Sequence, residues 1–445
     1  MIRPRTFFIH TIGCQMNVAD SEQMAAALSP MGYSASPSVE AADLVIVNTC
    51  SVRAKAEQKA FSILGRLADL KRRRPDVIVG VAGCVAQQEG NRILVRAPYV
   101  DIVVGTRALH RLPDHVRRVE AERCRIVDVE MGPAAPDGRA QRSSGPVCRF
   151  VTIMRGCDNF CAYCVVPFVR GRETSRPPGE ILQEVRDAVA AGAREVTLLG
   201  QNVNSYGQKE GYGTFSELLA RVNSIPGLLR IRFTTSHPKD LTSELMGCFA
   251  RLEKLCPHIH LPVQSGSNRI LARMNRGYTR EHYLDKVSKL RDSCPGMAIT
   301  SDLIVGFPGE AEADFEQTLE LIREVQFDGL FAFMYSDRPN APARLFAEKV
   351  PEALSRQRLH ALLAMQDAIT FSRNLALVGS IQEVLVEANG RTQAAGPAQW
   401  VGRTPENKIV HFHAGPDTAG CTAGRIVQVR IEKAMAHSLR GVTRG

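Results

Sequence analysis

The stretch RGCDNFCAYC, Arg155–Cys164, determines how the rest of the chain is interpreted. It places cysteines at 157, 161 and 164, a Cys-x3-Cys-x2-Cys spacing, with an aromatic residue, Tyr163, before the last one. Three thiolates are one fewer than a closed tetrahedral zinc site or a fully ligated four-iron cluster requires. We call Cys157, Cys161 and Cys164 the central triad, and we ask what supplies the missing ligand.

The central triad follows the first of six strand-like segments that alternate with helical patterns between residues 149 and 350. Such alternation predicts parallel strands, and six units without a pair to complete eight predict an incomplete (β/α)6 barrel. Active sites of such barrels lie in the loops after the strands, which is where the triad falls. The predicted strands are RFVTIMRG (149–156), EVTLLGQN (195–202), LRIRFTTS (229–236), HIHLPVQS (258–265), AITSDLIVGFP (298–308) and GLFAFMYS (329–336).

Two kinds of metal centre use cysteines in this way. Zinc requires a fourth ligand, yet no histidine occurs between His115 and His237, and Cys148 would lie at the opposite end of the barrel. A four-iron cluster held by three cysteines leaves one iron open to a bidentate small molecule. The sequence favours the cluster, and the missing ligand is then a substrate or a cofactor.

Cysteines also follow the predicted strands of the N-terminal region. The apolar runs TFFIHTIG, ADLVIVNT and DVIVGVAG predict buried parallel strands of a small doubly wound α/β domain. Cys14, Cys50 and Cys84, the N-terminal triad, come at the ends of these runs, and the carboxyl ends of parallel strands share one crevice. Ordinary buried cysteines are the alternative, but three equivalent placements favour a second metal-binding set.

Composition sets wider limits. The chain has 445 residues, of which 44% are hydrophobic, and a formal net charge of +10. This charge suits a polyanionic partner such as nucleic acid without requiring one. The N-terminus has no signal-peptide pattern and no apolar run reaches about 18 residues, so we expect a cytosolic protein with no membrane contact. Twelve cysteines in that compartment are not a disulfide framework.

Changes in pattern along the chain predict four segments. GPAAPDGRAQRSSGPV, residues 132–147, is rich in Gly, Pro, Ala and Ser and indicates a linker. After a helical pattern at 351–377, short alternating strands with Gly-rich turns predict a small β-barrel. The predicted strands are SIQEVLVEA, NKIVHFHA and GRIVQVRIEKAMAHSLRG, and Trp400 and Phe412 either stack on bases or fill the core. The predicted boundaries are an α/β domain at 1–135, a linker at 136–147, a partial barrel at 148–376 and a β-barrel at 377–445.

Eight sequence blocks carry a resemblance to a known family. They are TIGCQMNVADSE, NTCSVRAKAEQK, GCVAQ, RGCDNFCAYCVVPFVRGRETSR, LLGQNVNSYG, HLPVQSGS, MNRGYTREHY and LIVGFPGE. In this order they resemble the methylthiotransferases of the radical S-adenosylmethionine superfamily, and VGRTPENKIVHF resembles the nucleic-acid-binding TRAM module. One CxxxCxxC motif is only moderately specific, whereas eight blocks in order are very specific.

The resemblance implies a function and its cofactors. The central triad would hold a [4Fe-4S] cluster that binds and cleaves S-adenosylmethionine, giving a radical that removes a hydrogen atom from an unactivated carbon. The N-terminal triad would hold an auxiliary [4Fe-4S] cluster, where a second S-adenosylmethionine methylates sulfur. The implied product is a methylthio group on carbon 2 of N6-isopentenyladenosine beside the tRNA anticodon. An aromatic C–H has no useful acidity, so a radical rather than a general base suits this reaction.

The resemblance also implies contacts to the cofactor. Gly200, Gln201 and Asn202, after the second barrel strand, would contact its methionyl part, and Ile304 and Gly306 its adenine. Turn formation at a strand end is the alternative for these residues. Five arginines near the central triad would bind tRNA backbone or a cofactor carboxylate, or form a solvated basic face. They are Arg149, Arg155, Arg170, Arg172 and Arg176.

Two alternative functions stay open. A sister methylthiotransferase acting on threonylcarbamoyladenosine in tRNA, or on a ribosomal-protein aspartate, would hold the same clusters, although VVPFVRGRETSR and VGRTPENKIVHF favour isopentenyladenosine. A non-enzymatic tRNA-binding protein with a structural metal is the alternative from another class. The expected partners are isopentenylated tRNA, S-adenosylmethionine, an electron donor such as a flavodoxin or ferredoxin, and a sulfur source; we expect a monomer.

Overall fold

The N-terminal region is a six-stranded parallel sheet with a hydrophobic core on each face. The computed structural model describes residues 5–51, 54–132, 147–389, 399–413 and 421–444, so the predicted linker lies outside the described residues except for Val147. The strands are β1 (Arg5–Ile12), β2 (Tyr33–Ala35), β3 (Leu44–Thr49), β4 (Ile78–Gly83), β5 (Ile102–Val104) and β6 (Ile126–Asp128). The helices are α1 (Gln15–Leu28), α2 (Ala54–Arg73), α3 (Cys84–Glu89), α4 (Asn91–Arg96) and α5 (Leu112–Glu122).

The strand order of this sheet is β2-β1-β3-β4-β5-β6. All the strands are parallel, but the order in which the chain adds them reverses between β1 and β3. Ligands of such sheets bind outside the carboxyl ends of the strands at this point. Ile12 pairs with Thr49, and Thr49 pairs with Gly83, so β1, β3 and β4 end level with one another. Every residue of β3 and β4 is buried, which is why both appear in the sequence as continuous apolar runs. The prediction of a doubly wound domain is confirmed.

The central region is the predicted partial barrel. Its six main strands form two parallel sheets of three, and a bridge between Ile231 and Leu255 links one sheet to the segment before the other. The strands are β7 (Cys148–Thr152), β8 (Met154–Arg155), β9 (Thr174–Ser175), β10 (Glu195–Leu199), β11 (Arg230–Thr234), β12 (His258–His260), β13 (Ala298–Val305) and β14 (Gly329–Met334). The sheet orders are β11-β10-β7 and β12-β13-β14, and β8 and β9 form a short antiparallel pair.

Helices surround these strands and bury one large hydrophobic core against them. They are α6 (Val166–Val169), α7 (Pro178–Ala190), α8 (Phe215–Asn223), α9 (Ser243–Arg251), α10 (Asn268–Arg273), α11 (Arg280–Ser293), α12 (Glu312–Val325) and α13 (Glu352–Leu375). The last of them, α13, packs along β14. None of the helices within the described ranges, α13 included, combines the length and the apolarity needed to cross a bilayer.

The C-terminal region is a closed five-stranded barrel. Its strands are β15 (Ile381–Asn389), β16 (Gln399–Arg403), β17 (Ile409–His413), β18 (Ile426–Ala434) and β19 (Leu439–Thr443). Phe412 is fully buried in the core, and Trp400 packs against that core with part of its surface exposed. Of the two roles considered for Phe412, the structure therefore shows core packing.

Arginines at the start of β11 fix the C-terminal barrel to the central one. Arg230 donates to the carbonyl oxygen of Arg403 at 2.6 Å. Arg232 donates to the carbonyl oxygens of Thr404 at 2.8 Å and Pro405 at 2.7 Å. These contacts lie at the amino-terminal end of the barrel strands, opposite the end that carries the central triad.

A buried ion pair ties α13 to the turn after β13. Arg358 donates to Oε1 of Glu310 at 2.8 Å, and both side chains are at most 4% exposed. Removing the cation leaves a buried carboxylate without its partner, which costs about 3–5 kcal/mol. We therefore expect Arg358→Met to lower the thermal midpoint of the purified chain, measured by circular dichroism. Arg356→Met is the control, since Arg356 and its partner Glu352 are exposed and such pairs contribute about 0–1 kcal/mol. Equal midpoints for the two variants would contradict the prediction.

Candidate active site

The sheet topology brings the N-terminal triad together. Cys14 precedes α1 as its N-cap, Cys50 follows β3, and Cys84 opens α3. The side chains of Cys50 and Cys84 both lie close enough to Cys14 to influence its ionisation or to be influenced by it. Cys50 and Cys84 are each 3% exposed. The three thiols therefore form one largely buried group at the carboxyl ends of three neighbouring strands.

A buried amide pair supports the backbone beneath the N-terminal triad. Asn17 Oδ1 accepts from the Cys14 amide at 3.2 Å, and its Nδ2 donates to Asn48 Oδ1 and to the Thr49 carbonyl, each at 3.2 Å. Gly83, just before Cys84, has φ +90°, and a Cβ there would lie 2.4 Å from Asn48 Oδ1. Close approach of these strand ends therefore requires glycine at this position.

The cysteines of the central triad each receive a hydrogen bond at sulfur. Asn159 Nδ2 donates to Cys157 at 3.5 Å, the Val166 amide to Cys164 at 3.4 Å, and Arg276 Nη1 to Cys161 at 3.4 Å. Hydrogen bonds to the sulfurs stabilise thiolates and set the reduction potential of iron–sulfur clusters. The loop that carries the triad therefore supplies sulfur-directed donors as well as ligands.

Burial opposes ionisation of these thiols when no cation is bound. It raises the pKa of Cys157 to about 11 and that of Cys164 to about 12, the latter with a contribution from the neighbouring Cys161. Burial also raises the pKa of Cys84, whereas the hydrogen bond from Cys50 and the charge of Arg170 lower that of Cys14 to about 6. Metal coordination deprotonates such thiols, so both triads suit a cationic centre.

The donor set of each triad fits an iron–sulfur cluster. Three cysteine thiolates are the ligand set of a four-iron cluster with one open iron. The donors at the three sulfurs of the central triad supply the hydrogen bonds that such clusters receive.

The two triads meet at one interface between the N-terminal domain and the central barrel. Cys84 packs in a hydrophobic cluster with Val165, Val169 and Ala341, and Val165 directly follows Cys164. Arg107 of the N-terminal domain donates to the Arg170 carbonyl at 3.0 Å, just after α6. The segment that leaves one triad therefore covers the other.

Three family models match successive parts of the chain. Uncharacterized protein family UPF0004 matches residues 6–105, the radical SAM superfamily matches 151–322, and the TRAM domain matches 375–443. The N-terminal triad lies in the first match and the central triad in the second, while the third covers the closed C-terminal barrel.

Relatives match over the whole length of the chain. A protein from Desulfosudis oleivorans is 57% identical and covers 99% of this chain and 97% of the relative. Proteins from Geobacter metallireducens and Syntrophotalea carbinolica are 51% and 49% identical, with at least 98% of both chains covered. All three are named tRNA-2-methylthio-N(6)-dimethylallyladenosine synthase. The chain belongs to this synthase family.

Solved structures share the fold at low identity. The radical S-adenosylmethionine methyltransferase TsrM from Kitasatospora setae has a TM-score of 0.57 at 12% identity and covers 82% of this chain and 89% of its own. The cobalamin-dependent S-adenosylmethionine radical enzyme OxsB has a TM-score of 0.51 at 11% identity, covering 82% of this chain and 56% of its own. The synthase family member described here therefore has a radical SAM fold.

The residues after β10 adjoin the central triad. Gln201 Oε1 accepts from the amide of Gly156, the residue before Cys157. Asn202 Nδ2 donates to Asp240 at 2.7 Å. Gln201 Nε2 and Asn202 Oδ1 are buried and have no hydrogen-bond partner among the described residues. Each of these two side chains therefore retains one buried polar atom that no described residue satisfies.

The other three predicted cofactor contacts have packing roles in the structure. Gly200 lies against the Met154 side chain, and Ile304 packs in a cluster with Tyr163 of the triad loop. Gly306 has φ +71°, and a Cβ there would lie 2.1 Å from Ser355 Oγ on α13. The close approach of α13 therefore explains why residue 306 is a glycine.

The arginines near the central triad are not a solvated basic face. Four of them have side chains at most 13% exposed, and only Arg172, at 68%, is open to solvent. The pairs are Arg149 with Glu22 at 3.6 Å, Arg155 with Asp20 at 3.1 Å, Arg170 with Asp20 at 2.7 Å, Arg176 with Glu184 at 2.7 Å and Arg172 with Asp158 at 2.6 Å. Three of these pairs join the barrel to α1, so most of this run holds two domains together.

Sequence reasoning missed Arg276, which lies beneath the central triad. It is 4% exposed, and besides Cys161 it donates to Tyr163 Oη at 3.3 Å and to the Pro262 carbonyl at 2.7 Å. Next to it, burial and the charge of Arg276 lower the pKa of His237 to about 2, so this histidine is neutral. The presence of Arg276 in the block MNRGYTREHY is the one sequence signal for its role, and that block has no metal-ligand spacing.

Proposed function

We propose that the chain adds a methylthio group to carbon 2 of N6-isopentenyladenosine beside the anticodon of tRNA. The observation that carries this proposal is the meeting of two cysteine triads at one domain interface. When bound there, two [4Fe-4S] clusters and S-adenosylmethionine supply electron transfer, hydrogen abstraction and methylated sulfur. The full-length similarity to proteins named tRNA-2-methylthio-N(6)-dimethylallyladenosine synthase supports isopentenyladenosine as the substrate.

Each triad has a distinct part in the proposal. The central triad binds the cluster that meets S-adenosylmethionine, with Gln201 and Asn202 as the proposed polar contacts to its methionyl group and Ile304 and Gly306 beside its adenine. Arg276 donates to Cys161 and keeps that sulfur oriented. The N-terminal triad binds the auxiliary cluster at the carboxyl edge of the sheet.

We also propose the partners that this reaction requires. The net charge of +10 and the TRAM barrel support tRNA as the macromolecular substrate. A flavodoxin or ferredoxin would donate the electron, and a separate source would supply sulfur to a monomeric enzyme. We propose the cytoplasm as its location because tRNA is found there. The domain boundaries 1–135, 148–376 and 377–445 are also part of the proposal.

The direct test is nucleoside mass spectrometry of tRNA after anaerobic incubation with the reconstituted chain, S-adenosylmethionine and a reductant. We expect a methylthio gain on isopentenyladenosine and none on matched tRNA that lacks the isopentenyl group. Threonylcarbamoyl tRNA and the ribosomal-protein substrate are run in parallel. Modification of either one, with isopentenyladenosine unchanged, would refute the proposed substrate and identify a sister activity.

Metal content separates the enzyme from a tRNA-binding protein with a structural metal. We expect about eight irons and about eight sulfides per chain after anaerobic reconstitution, four for each triad. Removing the iron with a chelator should abolish the methylthio product while tRNA binding persists. Zinc without sulfide in the purified protein would contradict the radical reaction.

A further inference from the structure

A buried carboxylate is shared by two arginines between the two triads. Asp20, on α1, is fully buried. Arg155 Nη1 lies 3.1 Å from its Oδ1, and Arg170 Nη2 lies 2.7 Å from its Oδ2. Arg155 comes just before Cys157 in the loop of the central triad, and Arg170 follows α6. One carboxylate of the N-terminal domain therefore pairs with two cations of the barrel.

Arg170 shares the Asp20 carboxylate with Arg155, and its own side chain is 4% exposed. A buried cation is costly unless groups of opposite charge lie near it. Besides Asp20, Cys84 and Cys14 in their ionised form act on Arg170. Cys84 also packs with Val169, the residue before Arg170. The N-terminal triad is therefore a second group that can offset the charge of Arg170.

The donors of Arg170 point to the same conclusion. Its Nη1 and Nη2 are buried, and neither makes a hydrogen bond of ordinary geometry within the part of the chain that the structure describes. Buried guanidinium groups normally satisfy their five donors. A group that carries several sulfur acceptors beside Cys84 would satisfy them, and a [4Fe-4S] cluster is such a group.

We propose that Arg170 donates to the sulfur atoms of the cluster on the N-terminal triad and raises its reduction potential. Asp20 holds Arg170 in place and offsets part of its charge, and Arg155 ties the same carboxylate to the loop of the central triad. This inference rests on the proposed function only in taking the N-terminal triad to hold a cluster. A nearby positive charge stabilises the reduced form of a cluster, which is the more negative one, and this fixes the sign of the effect.

The alternative is that Arg170 is only a tether between domains, and the chain offers a matched control for this role. Arg149 also reaches from the barrel to α1, where it lies 3.6 Å from Glu22 with 11% of its side chain exposed. It is not among the main influences on the pKa of Cys14 or Cys84. Arg149→Met therefore removes a barrel-to-α1 cation without removing charge beside the cluster.

The test is a redox titration followed by electron paramagnetic resonance in the full chain carrying Cys157→Ala, Cys161→Ala and Cys164→Ala. In this background only the N-terminal cluster forms, with about four irons per chain. We expect Arg170→Met to lower the reduced-to-oxidised ratio at a fixed potential about tenfold, which corresponds to about 59 mV for one electron. Arg170→Lys should restore most of the shift, Arg149→Met should cause none, and Asp20→Asn should move the potential upward.

The outcomes separate charge from structure. An unchanged potential in Arg170→Met with full iron content would overturn the proposal, as would shifts of the same sign in Arg170→Met and Asp20→Asn. If Arg170→Met assembles no cluster, Asp20→Asn decides: an upward shift of the potential supports the proposal, and an unchanged or lower potential overturns it. No turnover is needed for this titration, so the predicted shift, together with no methylthio product from the unmodified chain in the nucleoside assay, would refute the proposed function alone.

Discussion

Alanine at Cys157, Cys161 or Cys164 is expected to abolish the reductive cleavage of S-adenosylmethionine. Each residue is a proposed cluster ligand, and loss of even a supporting partner of a metal ligand typically costs 10–100-fold, so we expect a fall of at least about 100-fold. The measurement is deoxyadenosine formation by the anaerobically reconstituted variant with an excess of reductant. Methylthio product should disappear with it, because hydrogen abstraction requires the cleaved cofactor.

Cys148→Ala is the matched control for this experiment. Cys148 begins β7, the strand that leads to the central triad, and pairs with Glu195 at the opposite end of the barrel. It is a partly buried free cysteine, and alanine removes only its sulfur atom. Its variant should cleave S-adenosylmethionine as the unmodified chain does. Cleavage that persists in Cys157→Ala with its iron content unchanged would show that the central triad is not the ligand set.

Alanine at Cys14, Cys50 or Cys84 is expected to separate the two halves of the reaction. Deoxyadenosine should still form, because the central triad and its three sulfur-directed donors are untouched. Methylthio product should fall by at least about 100-fold, because each variant loses a proposed ligand of the auxiliary cluster. The measurement combines nucleoside mass spectrometry with deoxyadenosine assay in one incubation, and iron content should drop from about eight to about four per chain.

Cys124→Ala is the corresponding control in the N-terminal domain. Cys124 packs at the edge of one core of the parallel sheet and takes no part in the group at its carboxyl edge. This variant should keep both products. Full methylthiolation by Cys50→Ala or Cys84→Ala would contradict the auxiliary-cluster assignment, whereas loss of both products in either variant would indicate that the interface with α6 was disturbed.

Elements with strong local patterns were predicted well. The continuous apolar runs of β3 and β4 are buried on both faces, so their character is visible in the sequence without any tertiary information. In the C-terminal barrel the prediction was less complete. The strand β16, Gln399–Arg403, was not predicted, and the predicted run GRIVQVRIEKAMAHSLRG contains β18 and the start of β19. Short strands of a small closed barrel have weak periodicity, and their limits depend on their partners.

The arginine run shows where local reasoning fails. Charge alone suggested phosphate binding or a solvated face, but Arg155 and Arg170 are buried against Asp20, which lies far away in the sequence. Arg276 was missed for the same reason, because its contact with Cys161 joins segments that no spacing rule connects. Pairings between distant residues leave no periodic signal in a single sequence.

The two cysteine triads, the parallel strands that carry them and the family could all be predicted from the sequence. These features are local, since ligand spacing and apolar runs lie within short segments, and alternation with helices predicts parallel strands. The order of the strands, the packing of Cys84 against the segment after Cys164 and the pairing of Asp20 with arginines of the barrel are seen only in the folded structure. The last two facts depend on how two domains dock, and docking is fixed by shape and buried charge over the whole interface rather than by any one stretch of the chain.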